Sequence, residues 1–346
     1  MTPRPTRRSF ILGAAGAATA AALAACGSDD SGSTTSASGG GSTATATTAA
    51  GSGFPITLRD RYGETTVERM PERVVSYGYN DHDTVLALGV VPVGLIKWIP
   101  EWERGVGPWS LRALGDARPE LFEGQEIPFE RIAALQPDLI LAVGHDLRTA
   151  DRDRLAEVAP VVSTPPGYPS YGLPPNEQAL QVGSALGMRA QTEKLIRGLD
   201  DRYAAARSEH PGFAGRTVMV VTPTADGQMS IFADTDTRGR LVRNLGFRQP
   251  AEVADLVGDQ FYAYLSPERF DVLDVDALLV LAYDRASSDA LAKMATYQQL
   301  DVVRRGGALV IDDMDTSMAL AAGTVTSVPY ALDGILPGLD RALRAA

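Results

Sequence analysis

From Phe54 onward the chain repeats one pattern: a short apolar run, a turn, then an amphipathic stretch. That alternation predicts parallel α/β organisation. "RVVSYG" (Arg73 to Gly78) reads as a strand and "DHDTVLALGV" as the helix after it, with Asp81 or Asp83 as N-cap and Gly89 as the stop. "VPVGLI", "LILAVG" (Leu139 to Gly144) and "VAPVVST" read as further strands, and "PFERIAALQPD" as a helix between them. The apolar runs barely alternate with polar residues, as expected where helices cover both faces of a sheet.

Between Asn176 and His210 the pattern turns helical, with Leu180, Ala185, Leu186, Leu195, Leu199 and Tyr203 near helical spacing and Pro175 and Pro211 at the ends. One continuous helix over this run would reach roughly 45 Å, although Gly183, Gly187 and Gly198 allow a short break. Afterwards the α/β pattern restarts with "GRTVMVVTPT", "TRGRLVRNLGF" and "RRGGALVIDD". "PFERIAALQPDLILAVG" (Pro128 to Gly144) and "SPERFDVLDVDALLVLAYD" (Ser266 to Asp284) share the order Pro, Glu-Arg, apolar helix face, Asp, strand. Two α/β lobes are predicted, 54–175 and 211–346, each with a central, mostly parallel sheet and joined by one long backbone helix over 176–210. A single enzyme domain with a helical insertion is the alternative.

Before Phe54 the chain has another character. Arg4, Arg7 and Arg8 precede a run of small and apolar residues too short to span a bilayer, which reads as an export signal over 1–25. Leu23-Ala24-Ala25-Cys26 resembles the lipobox of bacterial lipoproteins, with Cys26 the lipidated residue, and Arg7-Arg8 resembles a twin-arginine export signal. Residues 26–53 are almost wholly Ser, Thr, Gly, Ala and Asp, and predict a disordered tether.

Composition narrows the chemistry. Three of the 32 basic residues lie in the leader, so cleavage before Cys26 leaves 29 against 43 acidic residues and a formal charge of −14. That balance argues against nucleic acid as a partner. With one cysteine in the whole chain, the folded part has no disulfide, thiolate metal site or Cys nucleophile. No GxSxG elbow, Walker loop, dinucleotide fingerprint or HExxH motif occurs. "IDDMD" (Ile311 to Asp315) is a weak candidate for Mg²⁺, and its aspartates are better read as turn formers or arginine partners. The three histidines, His82, His145 and His210, are too scattered for a bare-metal site.

"ERVVSYGYNDHDTVLALGVVPVGL" (Glu72 to Leu95), "PFERIAALQPDLIL", "LAEVAPVV", the helical run and "YLSPERFDVLDVDALLV" together resemble the substrate-binding lipoproteins of ABC importers that serve ferric siderophores, haem and vitamin B12. The resemblance extends over nearly all of Phe54 to Leu343 and implies a class III periplasmic-binding-protein fold with modest closure. It implies an Fe(III)-siderophore complex in a shallow cleft between lobes, with haem or cobalamin as alternatives and no cofactor of the protein's own. It also implies a monomer held by lipid at the outer face of the cell membrane. In that family a glutamate at the start of a helix in each lobe docks on the permease, here Glu130 and Glu268.

Loops after the predicted strands supply the cleft candidates, because α/β proteins bind ligands at the carboxyl ends of parallel strands. After the first strand stand Tyr77, Tyr79, Asn80 and His82, and beyond the next Trp98, Trp102 and Trp109. His145, Tyr168 and Tyr171 follow from the first half. The second half adds Phe232, Arg238, Tyr262, Tyr264, Tyr283, Arg285 and Tyr297. Aromatic faces suit a large iron chelate. An anionic catecholate or carboxylate complex needs a local basic patch, for which Arg238, Arg243 and Arg285 are the candidates, with Lys97 and Arg104 opposite. Without that patch, a neutral or cationic hydroxamate fits better.

Overall fold

The short apolar runs are strands buried on both faces of their sheets. In a computed structural model, which describes residues 53–124, 126–168 and 171–345, the described residues belong to one compact unit. The export signal, Cys26 and the tether up to Ser52 lie outside the described residues. An antiparallel hairpin, β1 (Ile56–Asp60) and β2 (Gly63–Val67), leads into β3 (Val74–Ser76), α1 (Asp81–Ala87), β4 (Gly94–Ile96), α2 (Pro108–Leu114), β5 (Glu120–Phe122), α3 (Phe129–Ala134), β6 (Leu139–Ala142), α4 (Thr149–Ala156) and β7 (Val161–Ser163). The last five strands form a wholly parallel sheet in the order β5-β4-β3-β6-β7. Chain direction across the sheet reverses between β3 and β6, where an open α/β sheet leaves a crevice. Along β6, Leu139 and Leu141 pack into one core layer while Ile140 and Ala142 pack into the other.

The linking segment departs from the expected continuous helix. It is two helices, α5 (Pro175–Ala185) and α6 (Arg189–Glu209), broken at Gly187, whose φ of 70° lies in the left-handed region. The 21 residues of α6 reach roughly 32 Å, not the 45 Å of an unbroken run. Space forces the arrangement of the pair: a Cβ on Gly183 would collide with the Thr192 side chain.

The second lobe contains β8 (Val218–Pro223), β9 (Met229–Phe232), α7 (Thr237–Asn244), α8 (Glu252–Val257), β10 (Tyr262–Leu265), a 3₁₀ run over Pro267–Leu273, β11 (Ala277–Leu281), α9 (Arg285–Ala292), α10 (Ala295–Gln298), α11 (Asp301–Arg304), β12 (Ala308–Ile311), α12 (Met314–Ala322) and α13 (Ser327–Arg344). Its sheet runs β10-β9-β8-β11-β12, and only β9 is reversed. The turn Thr224 to Gly227 makes β8 and β9 a hairpin, with Gly227 at φ 84°. Every residue of β11 is buried, Leu279 and Leu281 on one face and Leu278 and Val280 on the other. The lobes are thus alike in layering and different in strand direction.

Candidate functional site

Asp81 and Asp83, expected as alternatives for the α1 N-cap, sit instead at the first and third helical positions, and Asn80 precedes the helix without a capping side-chain bond. Both aspartates are buried and turned to tertiary partners. Asp81 accepts hydrogen bonds from the Val143 amide at 2.7 Å, the Gly144 amide at 2.9 Å and Gln178 Nε2 at 2.8 Å. The loops after β3 and β6 are thereby tied to each other and to α5. Burial pushes the Asp81 carboxyl up to about 6, against the pull of those three donors. Gly78 is required beside it, because a Cβ there would collide with the Asp81 carboxylate.

Asp83 joins the lobes. Its Oδ2 accepts from Trp109 Nε1 at 2.8 Å and from Thr324 Oγ1 at 2.7 Å, and its Oδ1 from Ser110 Oγ at 2.5 Å. Asn80 Nδ2 donates to the Ala322 carbonyl at 3.3 Å and Trp102 Nε1 to Asp315 Oδ1 at 3.0 Å. Ile99, Trp102 and Met318 form an apolar cluster between the lobes, with Trp98, Trp109 and Tyr283 against it.

Above this seam lies a cavity of about 470 Å³ lined from both lobes, within the usual range for a small-molecule site. The first lobe contributes Tyr79, Trp98, His145 and Tyr171, and the second Arg238, Phe261, Tyr283 and Met318. His145 stacks on Tyr79 with ring centres 5.0 Å apart, and Tyr79 meets the edge of Trp98 at 6.1 Å. Burial draws the His145 imidazole below its ordinary pKa, with Asp146 and Asp151 opposing. Its Nδ1 and the Trp98 Nε1 are buried without a hydrogen-bond partner. An unmet buried polar group costs about 1–3 kcal/mol, and both belong to residues that line the cavity. Tyr171 and Tyr283, which also line it, hold left-handed φ angles of 59° and 64°, a strain that concentrates at binding sites.

The expected basic patch does not form. Arg238 is bound by Asp236 through Nε at 2.7 Å and Nη2 at 2.9 Å, and its guanidinium lies 3.5 Å from the Phe232 ring centre. Arg61, the other arginine of the lining, pairs with Asp146 at 2.7 Å. Arg243 pairs with Asp234, Lys97 with Glu123 and Arg285 with both Asp289 and Asp312. Arg104 Nη2 donates to the Gly115 and Ala117 carbonyls.

Of the expected cleft residues, Tyr79, Asn80, Trp98, His145, Tyr171, Arg238 and Tyr283 line the cavity. The others do not. His82 is 1% exposed inside the first lobe, and burial draws its imidazole below its ordinary pKa, with Asp83 opposing. Trp102 and Trp109 are held in the interlobe seam by the bonds to Asp315 and Asp83. Tyr77 is buried under His145, with ring centres 5.3 Å apart. Phe232 ends β9 and is buried beneath Arg238, and Tyr297 is buried in the second lobe's core. Tyr262 and Tyr264 belong to the edge strand β10, outside the cavity. Arg285 is exposed at the start of α9, and Tyr168 receives Arg61 through its backbone carbonyl. Arg61, Gln178, Asp236 and Phe261 line the cavity without a sequence signal strong enough to single them out. Asp312 and Asp313 are structural: the first holds Arg285 and the second caps α12 through the Thr316 amide at 2.7 Å. Glu130 and Glu268 are exposed in the first turns of α3 and the 3₁₀ run, at equivalent places in the two lobes.

Two α/β lobes, a helical linker and a cleft at the strand ends are the architecture of a periplasmic binding protein, and sequence comparison agrees. The periplasmic binding protein family model matches residues 74–313, and the chain belongs to that family. The probable siderophore-binding lipoprotein YfiY of Bacillus subtilis is 25% identical over 279 residues, covering 77% of this chain and 81% of its own. A periplasmic solute binding protein from Mycobacterium smegmatis superimposes with a TM-score of 0.76 at 30% identity, over 83% of this chain and 98% of that one. PiaA from Streptococcus pneumoniae in complex with ferrichrome does so at 0.73 and 26%, over 84% and 99%. No helix among the described residues is long and apolar enough to cross a membrane.

Proposed function

We propose that this protein captures a ferric siderophore in the interlobe cavity and delivers it to the permease of an ABC importer, while a lipid on Cys26 holds it at the outer face of the membrane. One observation carries the choice of ligand: the cavity wall is aromatic, and both of its arginines are already neutralised by aspartates. Such a wall fits a ferric hydroxamate of neutral or positive charge better than a tris-catecholate anion, whose charge would meet no uncommitted cation. The siderophore names of YfiY and the PiaA complex support the class. Iron arrives with its coordination sphere filled, so the protein recognises the outside of the complex through Tyr79, Trp98, Tyr171 and Tyr283, with His145 beside them. Glu130 and Glu268, one on each lobe, present the paired carboxylates that would orient docking on the permease. Haem is the second reading, because His145 lines the cavity and an imidazole can ligate haem iron.

Tryptophan fluorescence of the purified protein, titrated with ferrichrome, ferric enterobactin, ferric citrate and haem, tests this reading. Saturable quenching by the hydroxamate is expected, with about tenfold weaker binding in Trp98→Ala, equivalent to ~1.4 kcal/mol. A Soret shift with haem alone would transfer the function to haem capture. Silence toward every ferric chelate from folded protein would remove the siderophore assignment.

A further inference from the structure

The two ion pairs in the lining of the interlobe cavity are not equivalent. Arg61 and Asp146 are both partly exposed, so water screens their charges. The side chains of Arg238 and Asp236 are only 13% and 8% exposed. An imbalance of charge at this second pair would be screened least and would act most strongly on whatever enters the cavity.

Without Asp236, the segment that carries the pair would suit an anion. Asp236, Thr237 and Arg238 line the cavity at the start of α7. The helix brings the positive end of its dipole there, and Arg238 adds a full cation. Phe232 helps to fix that cation, its ring centre 3.5 Å from the guanidinium carbon. Asp236 supplies the anion from within the chain. Its Oδ1 accepts from the Arg238 amide at 2.9 Å and from Arg238 Nε at 2.7 Å, and its Oδ2 accepts from Nη2 at 2.9 Å. The cap of α7 needs only one oxygen, which Asn or Ser also offers. What the carboxylate adds is a negative charge and a second oxygen, which together fill the Nε–Nη2 edge of the guanidinium.

Resting on the siderophore reading above, we propose that Asp236 sets the charge selectivity of the cavity: it occupies the anion position of Arg238 and so discriminates against anionic ferric chelates. A tris-catecholate would have to displace the carboxylate from Arg238 to gain a cation, and it would meet that carboxylate as a like charge in the same wall. A neutral hydroxamate displaces nothing and packs against the aromatic side chains. Selectivity then comes from a repulsive element inside the protein, and one side chain both caps α7 and supplies it.

The test measures, by fluorescence quenching, the affinities of ferrichrome, a neutral tris-hydroxamate, and ferric enterobactin, a tris-catecholate anion. The proteins are the unaltered chain, Asp236→Asn, Arg238→Gln and the double variant. Asp236→Asn keeps a capping oxygen and unmasks Arg238, so at low salt the affinity for enterobactin relative to ferrichrome should rise about tenfold or more. Most of that gain should vanish in 0.5 M salt. The double variant, again without net charge at the pair, should return the ratio to that of the unaltered protein. Should Asp236→Asn not fold by circular dichroism, Arg238→Gln tests the same balance from the other side. Its uncompensated carboxylate should raise the preference for cationic ferrioxamine B over the neutral N-acetyl form by about fivefold. An unchanged enterobactin-to-ferrichrome ratio in folded Asp236→Asn, or an unchanged amine preference in Arg238→Gln, would overturn the role of Asp236 while leaving siderophore capture intact. A gain that persists in the double variant would also overturn it, because Arg238 would not be the charge that Asp236 masks. Failure of every ferric chelate to bind any of the four proteins would overturn both readings.

Discussion

Asp81 shows how much of the cleft depends on one buried carboxylate. Its folded pKa of about 6 lies above the ordinary carboxylate value of 3.8, so the folded state holds this proton more tightly than the unfolded chain. The favourable contribution is complete below pH 3.8 and is lost as pH rises through 6, amounting to about 3 kcal/mol at most. Denaturant unfolding of wild type and Asp81→Asn across pH 4 to 7 should therefore show a wild-type-specific decline that the variant lacks; parallel pH profiles would refute the assignment. The asparagine should also cost about 1–3 kcal/mol near neutral pH, because its NH₂ must face an amide donor where Asp81 offered an oxygen. From sequence, Asp81 and Asp83 read as helix caps, since local spacing shows which residues begin a helix and cannot show which loops fold back upon them. Trp98, expected in the cleft, lines the cavity, but Trp102 and Trp109, from the same segment, became interlobe contacts. Aromatic residues in a loop look alike until the surface opposite them is known.

Among the elements, the linker and the β8–β9 hairpin carry the instructive departures. Helical periodicity continues through Leu186, but Gly187 stops α5, and α6 returns close enough that Gly183 has no room for a methyl group. Gly183→Ala should lower the melting temperature, at a cost of about 1–3 kcal/mol from overpacking. Thr192→Ala should recover part of that loss in the double variant, since Thr192 supplies the colliding atoms. Additive effects of the two substitutions would show that the contact does not limit packing. β9 was not legible because "MSIF" is short and lies so near β8 that its strand character depends on the pairing of Ile231 with Val221 and Ala263. β3, β4, β6 and β7 were clear because each is an apolar run buried throughout, whereas β5 begins at an exposed Glu120 and gave no such run.

For the whole molecule, the seam between lobes is as consequential as the linker. Thr324 Oγ1 donates to Asp83 across the interface and accepts the Ser327 amide at the start of α13. Thr324→Val removes both bonds, with an expected loss of about 1–3 kcal/mol. Hydrogen exchange should accelerate in α12, which rests against the seam, if those bonds restrain lobe motion. Unchanged exchange there would assign the restraint to the Trp102 cluster instead. The acidic balance of the chain does not enter the cleft as free charge, because Asp236 and Asp146 are matched there by Arg238 and Arg61.

Periodicity, glycine and proline placement and the echo between the halves determined the two α/β lobes by themselves, because burial pattern is a local property of strands and helices. The same strand-end logic located the cleft and half a dozen of its residues. Only the tertiary structure decided which charges remain free, since Arg238, Arg61 and Lys97 acquire their partners through folding. It also decided that a second cavity adjoins the cleft, sharing Tyr79, His145, Asp146 and Tyr171 with it.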